Sequence, residues 1–278
     1  MCFKGGDALI PQIALTAMRQ ATDLFPTEES LYEYLHRRGC WHLLAAYNNP
    51  YTAQAHFMKT ATSLELMRRD ELVELMLQAL SDVVYAVIGG PVLSQTIYGC
   101  STLRCDPDFH LVISPDSLMQ VEQRLKTLGF RSRELSADMA AEQSLLSWSG
   151  GSRLLVHEGY TPQFPEWQMF LHTWRSLGAV KTNHTMFQEY TRWITYRGVS
   201  VPVLCPAAEV VVLCMTRADE NEMVALFCDI YSYVYYHSPD PEEVRVLIDW
   251  WDNDGRVRRR LRDVYRYTGD ERVLAYLP

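Results

Sequence analysis

Asp108 and His110 are two residues apart in the run Asp108–Ile113. Because side chains alternate between the two faces of a strand, we expect both to project from one face. A carboxylate beside an imidazole suits proton transfer, since the negative charge raises the pKa of the histidine toward or above neutrality. Three roles stay open for His110: general base, ligand for a softer metal such as zinc, or uncharged filler. Asp108 is either an acid or base of a site or a carboxylate that accepts from loop N–H groups.

A pair of glycines, Gly89 and Gly90, follows the β-rich run from Val83 to Ile88. The run, the glycines and Pro91 predict a buried strand, a tight turn and the start of a helix. Glycines let the backbone approach an anion closely, and a helix start offers free N–H groups and a positive dipole end. The pattern indicates an anion-binding turn, although the glycines could serve the turn alone.

The elements that must position these residues alternate between strands and helices. After the strand at Asp108–Ile113, Ser114-Pro115 predicts the start of a helix that ends at Gly129. Two further strands are predicted, at 144–148 and 153–157, and on the second of these His157 shares a face with Leu155. His157 could simply hydrogen-bond backbone groups in the core. The order is typical of an α/β (α+β) fold with a mixed sheet.

Three regions follow from this order: helical residues 1–82, the α/β core 83–204, and helical residues 205–278. Within the core, residues 192–196 and 199–204 predict a hairpin around Arg197-Gly198. The stretch between Tyr160 and Glu189 is aromatic and predicted to be irregular. Its section 164–174, which holds Trp167 and His172, could line a substrate cavity or pack in the core.

Composition excludes some function classes. The 278 residues hold 26 Lys and Arg against 34 Asp and Glu, a formal charge of -8, which argues against nucleic acid or an anionic membrane as the main partner. No signal peptide or run of about 20 apolar residues is visible. The seven cysteines are scattered without a Cys-x-x-Cys pair, as expected for reduced thiols in the cytoplasm.

An arginine-rich run lies near the C-terminus, between Arg256 and Arg266. Its helical spacing mixes six arginines with Val257, Leu261 and Val264. Because the whole chain is acidic, a solvated helix face or a helix that docks on a partner is favoured over a nucleic-acid patch.

The chain resembles the uncharacterised bacterial nucleotidyltransferases, whose fold is similar to that of polymerase-beta-type nucleotidyltransferases. The resemblance spans about residues 27 to 270 as a pattern of spacings. The segments and residues that carry it are Ile88–Leu93, Tyr98, Arg104 with Asp108–Val112, Leu128–Phe130, Leu154–His157, Tyr196–Gly198, Leu204–Pro206 and Asp229.

The departures from the family pattern fall on its catalytic positions. Gly89 replaces a lysine, His110 replaces the second carboxylate of Asp-x-Asp, and Leu155 replaces an aspartate. Two-metal transfer needs carboxylates to hold two magnesium ions, so we expect it to be lost or much weakened. In a rival alignment Asp106-Pro107-Asp108 is the Asp-x-Asp pair, but proline fits a central strand poorly.

The resemblance implies an enzyme of specialised-metabolite biosynthesis acting on a phosphate- or sulfate-activated small molecule. Arg104 and the N–H groups after Gly89 and Gly90 would bind the departing oxyanion. Asp108, with His110 or His157, would move a proton or orient the nucleophile. The reaction would need no metal or a single magnesium ion. Two alternatives are an active magnesium-dependent nucleotidyltransferase using Asp106 and Asp108, and a non-catalytic subunit that stabilises a partner enzyme. The sequence leaves open a partner subunit or a second copy of the chain.

Overall fold

A computed structural model provides the structure of the chain. It describes residues 27–37, 44, 50–99, 101, 108–133, 153–158, 166–173, 189–216, 223–251 and 255–277. Arg104, Asp106 and the predicted strand 144–148 lie outside these residues, so their placement stays a prediction.

Two helices come first, α1 (Glu28–Arg37) and α2 (Thr52–Ala79). The hydroxyl of Thr27 accepts from the Ser30 N–H at 3.1 Å, which satisfies one of the free donors at the start of α1. Thr27 is therefore the N-cap residue of α1.

The sheet has seven strands in the order β3-β4-β5-β2-β1-β7-β6. The strands are β1 (Tyr85–Val87), β2 (Asp108–Ile113), β3 (Arg131–Arg133), β4 (Arg153–Glu158), β5 (Glu166–Thr173), β6 (Thr191–Tyr196) and β7 (Val199–Leu204). The pairs β2–β5 and β1–β7 are parallel and the other neighbours are antiparallel. The predicted mixed sheet and the β6–β7 hairpin are confirmed.

Strand β5 corrects the prediction that residues 160–189 are irregular. It lies between β4 and β2, and both of its faces are buried, with Met169 and Phe170 each 2% exposed. A strand covered on both sides lacks the alternation of apolar and polar residues by which a half-exposed strand is found in a sequence.

The remaining helices connect the strands and follow the sheet. They are α3 (Gly90–Tyr98), α4 (Leu118–Thr127, after a 3-10 turn Pro115–Ser117), α5 (Pro206–Met215), α6 (Met223–His237), α7 (Pro241–Trp251) and α8 (Arg256–Thr268), followed by a 3-10 helix Glu271–Tyr276. At the start of α7 the Asp240 carboxylate accepts from the Glu242 N–H at 2.9 Å. Among the described helices, none combines the length and apolar character that crossing a membrane requires.

Apolar residues cover both faces of the sheet. On one face the core is built from α1, α3 and α5 to α8 together with Ala86 and Val112. On the other, α2 and α4 pack on Phe109, Leu111 and Leu155. The boundaries predicted at residues 82 and 204 stay predictions.

The arginine-rich helix α8 buries Val257, Leu261 and Val264 in the first of these cores. Arg256 and Arg260 reach the carbonyls of Met215 and Thr216, each at 3.5 Å, where the last carbonyls of α5 favour a positive charge. Two of the six arginines in this run therefore contact carbonyl groups of the same chain.

Candidate functional site

The Gly89-Gly90 turn lies directly on the start of β2. Gly90 has φ +71°, a left-handed conformation that favours glycine. A Cβ on Gly90 would lie 2.6 Å from Cδ2 of Phe109 and 2.9 Å from the Asp108 carbonyl oxygen. The structure therefore brings the predicted anion-binding turn and Asp108 together, and it explains why residue 90 is a glycine.

Gly89 is in contact with His110. A Cβ on Gly89 would lie 2.7 Å from Cδ2 of His110, and the Ile88 N–H donates to the His110 carbonyl at 3.0 Å. Both glycines are buried. The space that glycine leaves at position 89 is therefore filled, at least in part, by the side chain of His110.

The strand register decides which candidates share a face. Asp108 pairs with Gln168 and His110 with Phe170, so these four side chains project from one face of the sheet. Asp108 is half-buried at the end of β2. The shared face predicted for Asp108 and His110 is confirmed.

His157 lies on the opposite face. It pairs with Trp167, which is next to Gln168 in sequence and therefore projects from the other face of β5. His157 therefore lies on the face opposite to Asp108. Its ring centroid is 5.2 Å from that of Phe130 and 5.9 Å from that of Trp167. The structure does not bring His157 together with Asp108 and His110, so a shared site for the three is not supported.

A second histidine does meet His110. His172 of β5 places its Nε2 3.1 Å from Nδ1 of His110, and the two rings are nearly parallel, at 11°. Phe170 stacks on His110 with centroids 4.8 Å apart. The side chains of His110 and His172 are 2% and 1% exposed. Burial lowers the pKa of His172 to about 4, so its ring is uncharged near neutral pH.

The sequence analysis placed His172 in a section that could line a cavity or pack in the core, but it did not connect His172 with His110 or Gln168 with Asp108. His172 and Gln168 lie on β5, which was not predicted as a strand, and only the register shows that they face His110 and Asp108. A parallel pairing of residues 108–113 with 168–173 joins segments that are 60 residues apart, and no local pattern reveals it. The one available signal is the spacing of Gln168, Phe170 and His172 at every second residue.

The described side chains on this face do not form a cluster of magnesium ligands. Magnesium prefers oxygen ligands in octahedral geometry. Among the described residues no three His, Cys, Asp or Glu side chains lie close enough to hold a metal ion. Glu166, on the same face, forms a bidentate pair with Arg133, with Nη1 2.7 Å from Oε2, and this pair lowers the pKa of Glu166.

Helix α3, which begins at the glycine turn, is held at its other end by α6. The Tyr98 hydroxyl donates to the buried carboxylate of Asp229, and His237 Nε2 donates to the Thr96 carbonyl at 2.7 Å. These bonds fix the helix whose first N–H groups would face an anion. Tyr98 and Asp229 are both among the residues that carry the family resemblance.

A family of known proteins shares sequence features with most of this chain. The sequence profile of a family described as uncharacterised nucleotidyltransferase matches residues 26–249. No curated protein matches the chain. One similar structure is an antigenic nucleotidyltransferase-like protein from Paracoccidioides brasiliensis, with 14% identity, a TM-score of 0.48, and coverage of 77% of this chain and 94% of that chain. That likeness is too distant to inform the site. Because the family profile spans most of the chain, including the glycine turn and β2, the chain belongs to the family of uncharacterised nucleotidyltransferases.

Proposed function

We propose that this protein is a nucleotidyltransferase-fold enzyme that acts on a phosphate- or sulfate-activated small molecule without a pair of magnesium ions. The observation that carries the proposal is the close approach of Gly90 to the main-chain carbonyl of Asp108, with a buried histidine pair beside it. In this proposal the chain keeps the glycine turn and the first carboxylate of the family pattern, Asp108. His110 takes the place of the second carboxylate.

The chemistry that suits these groups is displacement of an oxyanion. A hydroxyl or amine of one substrate attacks the atom that bears the activating group, and the bond to the bridging oxygen breaks. The electron pair leaves with phosphate or sulfate, and the proton of the nucleophile passes to Asp108. Backbone N–H groups at the start of α3, and Arg104 from outside the described residues, would stabilise the departing charge.

The setting follows from the family resemblance and the cysteine pattern. We place the reaction in specialised-metabolite biosynthesis in a bacterial cytoplasm, with a small anionic substrate. A partner subunit or a second copy of the chain is compatible with this role.

A thermal-shift experiment tests the proposal. Inorganic phosphate, sulfate and nucleoside triphosphates are added with and without magnesium, because a ligand that binds the folded state raises Tm. We expect phosphate or sulfate to raise Tm without magnesium, and Arg104→Ala to remove the shift. Arg262→Ala, an exposed arginine of α8, is the matched control and should keep it. A shift that requires a nucleoside triphosphate with magnesium would favour transfer by Asp106 and Asp108 instead.

A non-catalytic subunit is the second candidate function. The burial of Gly89 and Gly90, and the His110 ring packed on Gly89, favour it because they cover the turn. Under this alternative no anion changes Tm, and cells that carry Asp108→Ala still make the pathway product. If Asp108→Ala and Arg104→Ala both keep full turnover, the enzymatic proposal is wrong.

A further inference from the structure

We propose that the C-terminal helices form a dimer interface, in which the outer face of α8 binds the outer face of α7 in a second copy of the chain. A two-fold axis relates the two copies, so the same contact is made twice. This C-terminal surface consists of exposed residues of α7, α8 and the final 3-10 helix: Glu242, Glu243, Val246, Trp250, Arg262, Arg266 and Leu274. The interface does not depend on the reaction proposed above.

The first support is the unequal use of the arginines of α8. Arg258 forms an ion pair with Asp249 of α7, and two further arginines reach carbonyls at the end of α5. Arg262 and Arg266 are exposed, and neither has an acidic partner among the described residues. The two are four residues apart, a spacing at which like charges destabilise a helix. An acidic surface of a second molecule would remove that repulsion.

The second support is the opposite charge of α7. Glu242 and Glu243 are exposed in its first turn. Glu242 pairs with Arg245 of the same helix, whereas Glu243 has no cationic partner among the residues that the structure describes. A two-fold contact requires a surface that is complementary to itself. A basic and an acidic helix in one chain meet this requirement, because α7 of each copy can face α8 of the other.

The third support is the apolar area on the same surface. Val246, Trp250 and Leu274 are 43%, 48% and 37% exposed, and the first two lie one turn apart on α7. An exposed aromatic side chain surrounded by charged residues is typical of a protein interface, where aromatic residues bind at the centre and polar residues form the rim. We therefore expect Trp250 to contribute to affinity and the charges to select the partner face.

The three helices of this surface are joined to one another. The pair of Arg258 with Asp249 links the start of α8 to the last turn of α7. Arg245 donates to the Ala275 carbonyl at 2.6 Å, which holds the 3-10 helix beside α7. Buried residues of the 3-10 helix and of α8 belong to one cluster. A second copy would therefore meet the three helices as one body.

Sedimentation equilibrium of the full chain tests the proposal. Between roughly 1 and 100 µM, the range of weak dimers, we expect the mass to rise from 32.1 kDa toward twice that value. The dimer should weaken between about 0.05 and 0.5 M salt, because salt screens exposed charges. Arg262→Glu combined with Arg266→Glu should weaken it on the order of 100-fold, because like charges would then face each other.

An exchange of charges identifies the face that the arginines bind. One variant carries Arg262→Glu and Arg266→Glu, and the other carries Glu242→Arg and Glu243→Arg. Each alone should stay monomeric, whereas an equimolar mixture should dimerise, because each variant supplies the charge that the other lacks.

Arg68→Glu combined with Arg131→Glu is the matched control. It reverses two exposed arginines of α2 and β3, so it makes the same change in net charge away from the C-terminal surface. This variant should dimerise as the wild type does.

Three results would overturn the proposal: a wild type that stays monomeric over the whole concentration range, a dimer that survives the two arginine reversals, or a mixture of the two variants that stays monomeric. A monomer that binds a single-stranded oligonucleotide through Arg262 and Arg266 would also overturn it and would assign the arginines to nucleic acid. Circular dichroism shows whether each variant folds, and the mass of the wild type decides the proposal where a variant does not.

Discussion

At the scale of single residues, His172 makes stability depend on pH. Its pKa is about 4 in the folded chain and about 6.5 when unfolded, so between these values the unfolded state binds more protons. The free energy of unfolding should therefore fall as pH falls from 6.5 to 4, by about 3 kcal/mol from this group. Urea unfolding at several pH values measures it.

His172→Phe should remove that part of the pH dependence, because phenylalanine takes up no proton. The matched control is His56→Gln, which replaces an exposed histidine of α2 and leaves His172 in place, so the pH dependence that comes from His172 should persist. An identical slope in wild type and His172→Phe would mean that His172 is not a buried neutral group.

Gly90 allows a second prediction, on stability. Gly90→Ala forces a side chain into the left-handed region and against Phe109 and the Asp108 carbonyl. We expect a loss of about 3 kcal/mol in the free energy of unfolding, from backbone strain and overpacking together.

Gly198 provides the control for this substitution. It has φ +84° in the β6–β7 turn, and a Cβ there would meet nothing within 4 Å. Gly198→Ala should therefore lose only the backbone part, about 1.5 kcal/mol. Equal losses at the two glycines in denaturant unfolding would show that the contact with β2 is unimportant.

Residue types and short spacings predicted part of the site. Asp108, His110 and the glycine turn are within 22 residues of one another in sequence, and strand alternation suffices to place two of them on one face. Local spacing does not predict which of His157 and His172 contacts His110. That contact depends on the parallel pairing of β2 with β5. Which histidine faces His110 is decided by register, and a shift by one residue exchanges the faces.

At the scale of elements, the attachment of α3 to α6 can be tested through Tyr98. Tyr98→Phe removes the donor to the buried Asp229 carboxylate and should lower the free energy of unfolding by about 2 kcal/mol, since bonds to charged groups are the stronger ones. Because α3 begins at the proposed anion site, phosphate binding should weaken too. Chemical unfolding and phosphate titration measure the two effects.

Tyr276→Phe is the matched control for this attachment. The Tyr276 hydroxyl is also buried and donates to a neutral acceptor, the Pro239 carbonyl, at 3.1 Å. Its loss should lower the free energy of unfolding by about 1 kcal/mol and leave phosphate binding unchanged. Equal effects of the two substitutions on phosphate binding would contradict a specific role for the α3–α6 attachment.

Elements marked by local residue patterns were predictable, and strand β5 was not. The turn at Arg197-Gly198 and the proline at the start of α5 mark their elements in the sequence, and the structure has both. Strand β5 follows Pro165, but it is buried on two faces and does not alternate between apolar and polar residues over its whole length. Its central place in the sheet comes from tertiary packing, which outweighs local preference.

At the scale of the whole molecule, the three predicted regions share one core. A single cluster of buried residues includes Leu31 of α1, Ala86 of β1 and Tyr276 near the C-terminus. The helices α5 to α8 bury their apolar faces in this cluster, so they would expose those faces without the sheet. The boundaries at residues 82 and 204 stay predictions, and the shared cluster predicts that the three regions unfold together.

We therefore expect the chain to unfold in one cooperative transition. Calorimetric and van't Hoff enthalpies should agree, and far-UV circular dichroism and tryptophan fluorescence should give the same midpoint. Trp251 of α7 and Trp167 of β5 are both buried, at 4% and 6% exposure, and they report on the tail helices and the sheet respectively. Trp251→Phe and Trp167→Phe should leave the fluorescence and dichroism midpoints coincident within each variant. Two resolved transitions, with the Trp251 signal lost in one and the Trp167 signal in the other, would contradict this prediction. Residues 205–278 would then be an independent folding unit, because residues that share one core unfold together.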